Sequence, residues 1–212
     1  MSGAPRIHPT ALVEDGVVIG PGTSIWDNVH VRGPATIGRE CIIGEKTYVA
    51  YGVRIGDYVK VNAQVYVCTG VTLEDRVFVA AGVVFTNDRF PRAFADGHEG
   101  LASSDPNEDT LETIVRTGAT LGARAVIGPG LEIGAYAMIG MGSVVVGDVP
   151  PYALAFGSPA RVRGWVCVCG TPIVRGEQAE TTHGESRSCT RCGRRYLLGG
   201  DDADQRLLPG VA

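Results

Sequence analysis

Two pairs of cysteines near the end of the chain have the spacing of metal ligands. Cys167 and Cys169 form a C-x-C pair, Cys189 and Cys192 form a C-x-x-C pair, and a glycine follows each pair. Four thiolates complete a tetrahedral zinc site, which leaves no open position for catalysis. The sequence therefore predicts a structural zinc ion. The segment around these cysteines has only about forty residues, which are too few to bury a stable core without a metal or another cross-link.

A segment in the middle of the chain concentrates polar groups of the kind that bind substrates. Residues 86–114 break a regular pattern that continues on either side, so a loop of about thirty residues must leave the main body, and such loops are usually functional or disordered. Asn87 and Asp88 stand near its start, followed by Phe90 and Arg92. The segment could also be a solvated insertion in which Asn87 and Asp88 form an Asx-type turn.

One histidine and one tryptophan precede that loop at positions that should face outwards. His30 lies between Val29 and Val31, so its ring should point away from the core, where it could act as a general base. An outward histidine is equally an ordinary surface or subunit-contact residue. Trp26 has the same two interpretations, because an exposed indole can stack on a planar ligand or pack between subunits.

These side chains must be positioned by an element with a period of six residues. Counting in sixes from Ile7 meets an aliphatic or aromatic residue fourteen times in succession up to Phe85, and the count resumes at Val115 for six more. A short strand and a turn fit into six residues, and three strands close a triangular coil of eighteen. Stacked parallel coils bury one another's apolar faces, so the pattern predicts an all-β parallel solenoid.

Small residues complete the repeat. The residue two before each counted position is usually small or β-branched, so both should point into the core, as strand geometry requires. Glycine often follows the counted residue, as at Gly38 and Gly122, and asparagine also occurs in the turns. We expect these residues where turns need positive φ.

Composition bounds the class of protein. The chain has 212 residues, of which 44% are hydrophobic, and a formal net charge of −4, so nucleic acid is not the expected partner. The first residues contain no apolar run that resembles a signal peptide, and no stretch of eighteen apolar residues could span a bilayer. We therefore expect a cytoplasmic protein without a membrane partner, in which structural disulfides are disfavoured and zinc is the better use of the four thiols.

The repeat, written [LIV]-G-x4 over about two thirds of the chain, resembles the hexapeptide-repeat acyltransferase superfamily. The resemblance implies a left-handed parallel β-helix. The handedness comes from the resemblance alone, because ordinary parallel crossovers are right-handed.

Three shorter stretches narrow the resemblance to acetyltransferases of nucleotide-linked amino sugars. They are Phe85-Thr86-Asn87-Asp88-Arg89-Phe90-Pro91-Arg92-Ala93, Ser24-Ile25-Trp26-Asp27-Asn28-Val29-His30-Val31, and Asp148-Val149-Pro150-Pro151-Tyr152-Ala153-Leu154-Ala155-Phe156-Gly157-Ser158-Pro159-Ala160-Arg161. The first is similar to the F-T-N-D-x-x-P-R-A segment of enzymes that act on 3-amino sugars. The third is similar to an ending shared by many hexapeptide acyltransferases, with Ser158 where asparagine is usual.

The resemblance implies an acetyl-CoA-dependent N-acetyltransferase that acts on the amino group, at C3 rather than C4, of a nucleotide-linked sugar. A sugar amine with a pKa of about 8 is about one-tenth neutral at pH 7, so a strong base is less necessary than for a hydroxyl. Asn87 and Asp88 would orient the amine, with His30 as a third catalytic candidate. Arg92, Trp26 and Phe90 would bind substrate, although Arg92 could instead pair with an acid in the loop.

The same resemblance implies a homotrimer and places acetyl-CoA in the groove between the β-helices of neighbouring chains. Each site would then use residues of two chains. The implied cofactor contacts are small residues, a turn and one arginine: Ala119, Ala137, Gly142, Ser143, Gly157, Ser158, Pro159 and Arg161. The alanines and glycines could instead only satisfy the corners of the coil. Three alternatives remain on the same fold: acyl transfer from an acyl carrier protein, O-acetylation of a sugar or other small hydroxyl acceptor, and a scaffold without catalytic activity.

The predicted organisation has four parts. Residues 1–150 form the β-helix, from which the loop 86–114 is extruded, and residues 151–164 connect it to the next part and contain the turn for coenzyme A. Residues 165–200 form a small module that resembles a zinc ribbon, and residues 201–212 form a tail.

Overall fold

Short parallel strands wind around three flat faces in a computed structural model that describes residues 3–95, 100–176, 185–198 and 207–209. The first face contains β1 (Arg6–Ile7), β4 (Ser24–Ile25), β7 (Ile42–Ile43), β10 (Lys60–Val61), β13 (Phe78–Val79), β16 (Thr120–Leu121), β19 (Met138–Ile139) and β21 (Ala153–Gly157). The second contains β2 (Leu12–Val13), β5 (His30–Val31), β8 (Tyr48–Val49), β11 (Tyr66–Val67), β14 (Val84–Phe85), β17 (Val126–Ile127) and β20 (Val144–Val145). The third contains β3 (Val17–Ile19), β6 (Ala35–Ile37), β9 (Arg54–Ile55), β12 (Val71–Leu73), β15 (Thr113–Val115) and β18 (Glu132–Ile133).

The register between coils is eighteen residues. Arg6 pairs with Ser24 on the first face, and Leu12 pairs with His30 on the second. Where the inserted segment intervenes, the spacing grows to forty-two residues, as between Phe78 and Thr120, and the parallel pairing continues unchanged. The predicted fold class, a left-handed parallel β-helix, is confirmed.

The core is a column of aliphatic side chains along the axis of the prism. Each repeat contributes two inward residues separated by one outward residue, as Val29 and Val31 do on either side of the half-exposed His30. Cys41 takes the same inward position in its own repeat. The predicted inward pairs are therefore confirmed, and the alternation is the one that strand geometry imposes.

The corners of the coil correct the prediction about glycine. Gly38 and Gly122 do not adopt positive φ; the left-handed residue comes two positions later, and at Glu40, Tyr58 and Arg76 it is not a glycine. Asn28, with φ of 53°, occupies such a corner. Glycine follows the core residue for a different reason, which is the proximity of the next coil.

That proximity is measurable at Gly122. A Cβ atom added there would lie 2.6 Å from the backbone carbon of Gly140 in the following coil, and at Gly38 it would lie 2.6 Å from that of Gly56. Both distances are shorter than van der Waals contact, and the neighbouring atoms belong to backbone that the ladder hydrogen bonds hold in place. The absent side chain is what lets adjacent coils pair.

We expect Gly122→Ala to lower the free energy of unfolding by about 1–3 kcal/mol, the usual cost of overpacking. Gly147→Ala is the matched control, because nothing lies within 4 Å of a Cβ there and its φ is not positive. Urea denaturation followed by circular dichroism measures both. Equal effects of the two substitutions would contradict the role assigned to the close approach.

The inserted segment is a protruding arm whose two branches pair with each other. Leu111 N donates to Asn87 O at 2.7 Å, Arg89 N donates to Asp109 O at 3.0 Å, and further out Phe94 forms a bridge with Leu101. Residues 96–99 lie outside the described part of the chain. The arm follows β14, which ends at Phe85, and the next strand begins at Thr113.

A charged cluster joins the coils on either side of the arm. Arg116 donates to Glu74 Oε1 at 2.8 Å and to Glu132 Oε2 at 2.7 Å, so it connects the coil before the arm to two coils after it. Thr117 donates to the second oxygen of Glu74 from both its amide and its hydroxyl. Burial opposes ionisation of Glu74, but the hydrogen bonds from Arg116 and Thr117 outweigh it and lower its pKa. Hydrogen bonding to Arg116 likewise lowers the pKa of Glu132.

We expect Arg116→Met to destabilise the fold by about 1 kcal/mol at pH 7, the upper end for half-exposed ion pairs. Since both carboxyl pKa values are lowered in the folded state, this stabilisation is present above the ordinary carboxyl pKa of about 4.3 and is lost as pH falls through the folded-state values. Arg54→Met, on the same face and exposed, is the control. Unfolding at pH 7 and at low pH checks the prediction, which fails if the difference between the two variants does not shrink with acidification.

The last coil passes directly into the C-terminal part. β22 (Ala160–Val166) and β23 (Pro172–Arg175) extend the first face as antiparallel strands after β21, so the predicted connecting segment 151–164 forms a hairpin that continues past residue 164. β24 (Ser186–Ser188), β25 (Arg195–Leu198) and β26 (Leu207–Pro209) form a separate antiparallel sheet. Of the predicted tail 201–212, only the last of these strands is described. A search of the described residues finds no helix that could span a membrane.

Candidate functional site

The base of the arm places Asn87 and Asp88 at the edge of the second face. Asn87 is half-buried, and its side-chain amide donates to Thr69 O at 3.1 Å, which fixes its orientation. Asp88 is exposed and lies near Tyr66 and Cys68. Burial raises the pKa of the Cys68 thiol to about 12, and the Asp88 carboxylate adds to that shift. The two predicted catalytic residues therefore present one anchored amide and one accessible carboxylate.

Further along the arm, Phe90 and Arg92 extend into solvent. Phe90 is 70% exposed, and its ring lies 6.0 Å from the guanidinium of Arg89. Arg92 donates to the carbonyl of Pro91 at 3.0 Å. Pairing with an acid of the arm was the alternative to substrate binding for Arg92. Within the described ranges Arg92 forms no such ion pair. Among the described residues of the arm, both side chains are accessible to a ligand or a second chain.

His30 is held by a carboxylate that the sequence analysis did not identify. Its Nε2 lies 2.8 Å from Glu14 Oε1, and Glu14 also accepts from the amide of Gly33 at 3.2 Å and pairs with Arg32 Nε at 3.3 Å. These contacts, the one to His30 first, lower the pKa of Glu14. An imidazole supported by an ionised carboxylate can accept a proton at its other nitrogen. The eighteen-residue register would have indicated the pair, since it sets Glu14 beside Arg32 and diagonal to His30.

A row of aromatic rings leads from His30 towards the arm. The ring of His30 meets Tyr48 edge to face at 5.4 Å, and Tyr48 stacks on Tyr66 at 5.2 Å with nearly parallel planes. The three residues occupy equivalent outward positions on β5, β8 and β11. Three coil steps separate β5 from β14, which is about 14 Å at ordinary strand spacing. One chain therefore does not bring His30 into contact with Asp88.

Trp26 lies at a different corner from the arm. It follows β4 on the turn that leads from the first face to the second, and the guanidinium of Arg6 lies 4.9 Å from its ring centroid. The arm leaves β14 at the opposite edge of the second face. Within a single chain, the structure does not bring Trp26 together with Phe90 or Arg92.

The residues predicted to contact the cofactor divide into two groups. Ala119, Ala137 and Ser143 are buried, because their side chains point into the coil, so only their main chain could face a ligand. Gly142 and the turn of the β21–β22 hairpin are accessible; the exposed turn residues are Gly157, Ser158, Pro159 and Arg161. The buried Ser143 hydroxyl accepts from Gly157 N at 3.2 Å. That bond holds the turn against the last coil.

The four predicted metal ligands converge in the C-terminal part. Their sulfurs all lie within 4.8 Å of one another, with Cys167 Sγ 3.4 Å from Cys192 Sγ and Cys169 Sγ 3.6 Å from Cys189 Sγ. Zinc–sulfur bonds of about 2.3 Å set tetrahedral sulfurs about 3.8 Å apart, so the spacing fits a zinc ion. Hydrogen bonds from Thr171 lower the pKa of Cys169 to about 6, whereas burial raises the pKa of Cys167 to about 12. The close spacing of four sulfur donors is what suits the cluster to a metal ion.

Comparisons with known protein families agree with the fold and the repeat. The family described as bacterial transferase hexapeptide (six repeats) matches residues 16–50 and 52–87, and the hexapeptide repeat of succinyl-transferase matches residues 34–68 and 114–146. The second family resumes on the far side of the arm. This chain belongs to the hexapeptide-repeat transferase family.

A characterised relative shares part of the sequence. The chain is 41% identical over 96 residues to dTDP-3-amino-3,6-dideoxy-alpha-D-galactopyranose 3-N-acetyltransferase of Aneurinibacillus thermoaerophilus, a match that covers 45% of this chain and 46% of that protein. The match thus spans about half the length of that relative. Serine acetyltransferase 4 of Arabidopsis thaliana is 26% identical over 160 residues, which is 76% of this chain and 29% of that one.

Among solved structures, the acyltransferase LpxA of Bacteroides fragilis superposes with a TM-score of 0.61 at 19% identity, covering 77% of this chain and 62% of that one. At this identity the likeness concerns the fold alone. It supports the β-helix as the scaffold on which the arm and the cysteine cluster are placed.

Proposed function

We propose that this chain is an acetyl-CoA-dependent N-acetyltransferase that acts on the C3 amino group of a nucleotide-linked sugar. The observation that carries the proposal is the 41% identity over 96 residues to an enzyme named for 3-N-acetylation of a dTDP-linked 3-amino sugar. The arm that begins Asn87-Asp88 supplies the groups that such an amine requires.

The chemistry at the arm is orientation of an amine rather than its full deprotonation by a strong base. A sugar amine of pKa about 8 is about one-tenth neutral at pH 7. The exposed carboxylate of Asp88 attracts the ammonium form and holds the amine by a charge-assisted hydrogen bond. Asn87, fixed by its bond to Thr69, has a side-chain oxygen that can accept from the same amine. The neutral fraction then attacks the thioester carbonyl, and coenzyme A leaves as the thiol.

The proposed position of acetyl-CoA is the C-terminal end of the helix. Gly142 is a corner without a side chain, and no atom of the described residues lies within 4 Å of where its Cβ would be, so a ligand could approach the backbone there. Arg161 is exposed beside the hairpin turn and could meet a phosphate of the cofactor. Ala119, Ala137 and Ser143 would take part through their main chain only.

We propose a homotrimer in which each site uses residues of two chains. The support is the apolar surface of the arm and of the second face: Phe90 is 70% and Leu101 is 85% exposed, and Val84 is also exposed. Because His30 and Trp26 are remote from the arm within one chain, they could reach Asp88 only from a neighbouring copy. The proposed compartment is the cytoplasm, where acetyl-CoA is present, and neither nucleic acid nor a membrane is a proposed partner.

A second candidate function is O-acetylation of a sugar or other small hydroxyl acceptor. The contact of 2.8 Å between His30 and Glu14 favours it, because a hydroxyl needs a general base and a carboxylate-supported histidine is a common one. In this reaction His30 would be the essential group and the arm would only bind the acceptor.

Release of free thiol from acetyl-CoA, measured against dTDP- and UDP-linked 3-amino and 4-amino sugars, tests the proposal. We expect turnover with a 3-amino sugar. Asp88→Asn should lower kcat/KM about 10- to 100-fold, the value of a charge-assisted hydrogen bond worth about 1.5–3 kcal/mol. Asp105→Asn, an exposed acid in the same arm, is the control and should change kcat/KM by less than about twofold.

Other outcomes of this assay separate the alternatives. Loss of turnover in His30→Ala with little change in Asp88→Asn, on a hydroxyl acceptor, would establish O-acetylation. No turnover and no heat of binding with acetyl-CoA would indicate a scaffold.

We also propose that the four cysteines bind one structural zinc ion. The proposal is supported by the convergence of four sulfurs within 4.8 Å and by their protein-only donor set, which leaves no position for catalysis. The small C-terminal sheet would otherwise have too little core to hold its place.

Metal analysis of the purified protein should find about one zinc per chain. Cys192→Ser removes one ligand and should reduce that content severalfold, whereas Cys68→Ser, which alters a buried cysteine of the β-helix, should leave it unchanged. Zinc-free protein with a folded C-terminal part would contradict the proposal.

A further inference from the structure

A buried tyrosine of the C-terminal sheet contacts the cysteine cluster. Tyr196 on β25 is 1% exposed, and its hydroxyl oxygen lies 3.0 Å from Cys167 Sγ and 3.1 Å from the amide nitrogen of Val168. No other described tyrosine has its hydroxyl within hydrogen-bond distance of a cysteine of the cluster.

The direction of the two hydrogen bonds can be worked out from the donors. The Val168 amide has one hydrogen, and it donates to the tyrosine oxygen. The single hydrogen of the hydroxyl is then available for Cys167 Sγ. A metal-bound thiolate accepts a hydrogen bond but has none to donate, so metal binding fixes this arrangement. Partners of this kind orient the ligands of metal sites and adjust their affinity.

The ring of Tyr196 connects the cluster to the β-helix. It meets Tyr152 edge to face at 6.1 Å, and Tyr152 stacks on Tyr136, a corner residue of the preceding coil, at 5.4 Å. A main-chain hydrogen bond also joins the two parts, since Val166 N donates to Tyr152 O at 2.8 Å. The same side chain thus touches a metal ligand with its hydroxyl and the last coil with its ring.

We infer that Tyr196 is the positioning residue that couples metal binding in the cysteine cluster to docking of the C-terminal part on the last coil. The inference rests on the zinc site proposed above. Solenoids need their ends covered, since the terminal coil has no following coil to bury its apolar edge. The hairpin that covers this end also carries the turn with Gly157 and Arg161, so the bound metal would hold that turn in place.

A buried tryptophan provides a direct readout. Trp165 on β22 is 4% exposed and pairs with Ala153 on one side and Val174 on the other, two residues before Cys167. The chain has two tryptophans, so Trp26→Phe leaves Trp165 as the sole reporter. Undocking of the hairpin would expose its indole to water and shift its emission to the red.

The experiment uses the full chain with Trp26→Phe, titrated with zinc buffered by a chromophoric chelator while Trp165 emission is recorded. Tyr196→Phe removes only the hydroxyl and should move the midpoint of the emission change to about tenfold higher free zinc. The thiolate-to-metal charge-transfer band of the cobalt-loaded protein should shift in the same variant. Tyr58→Phe, at a corner of the β-helix between Arg39 and Arg76, is the control and should match the parent.

The outcomes distinguish the two proposals. A parent protein that binds neither zinc nor cobalt overturns the metal site and this inference with it. A parent that binds zinc, with an unchanged midpoint and cobalt spectrum in Tyr196→Phe, overturns only the inference, as does zinc removal without a change in Trp165 emission. If Tyr196→Phe does not fold, hydrogen exchange of the Val168 amide in the parent protein tests the coupling instead. Protection that is present with zinc and lost on chelation supports the coupling, and protection that is independent of zinc refutes it.

Discussion

Stacking of one coil on the next at close backbone distance is the constraint on which the rest of the structure depends. The backbone amides of each coil donate to its neighbours, those of the strands to the following coil and those of the corners to the preceding one, and the inward aliphatics pack along the same stack. The glycines at positions such as Gly38 and Gly122 permit this, because a methyl group there would meet the main chain of the adjacent coil. Outward side chains therefore do not pack in the core, and they repeat on each face at a fixed spacing of eighteen residues.

The arm is tolerated because it enters and leaves between two coils without altering their register. Twenty-four extra residues separate Phe78 from Thr120, yet the two pair as neighbours. The branches of the arm pair with each other at Asn87 and Leu111, and Arg116 draws the coils on either side together through Glu74 and Glu132. A rigid scaffold thus presents a long insertion whose base, where Asn87 and Asp88 lie, is fixed.

The candidate functional groups lie far apart from one another along the chain. The histidine–carboxylate pair of His30 and Glu14 lies in the early coils, the arm lies in the middle, and the hairpin turn and the cysteine cluster lie at the C-terminal end. Distances along one prism keep these groups apart.

The sequence by itself determined the coil, because a strict period of six leaves no alternative to short strands with turns, and it also indicated the inserted arm and the four cysteine ligands. It did not reveal that the glycine after a core residue lets the backbone of the next coil come close. It also did not reveal that non-glycine residues such as Tyr58 and Arg76 adopt positive φ at the corners. Glycine is compatible with both a left-handed turn and a close backbone contact, so its presence alone does not distinguish them. Tyr196 was found only in the tertiary structure, because its partner Cys167 is twenty-nine residues away and lies outside the repeat, so no register relates the two. The contact of Glu14 with His30, sixteen residues away, is consistent with the eighteen-residue register, but only the structure showed the two side chains 2.8 Å apart. Burial likewise decided that Ala119, Ala137 and Ser143 face the core, since small residues suit both a coil interior and a ligand surface.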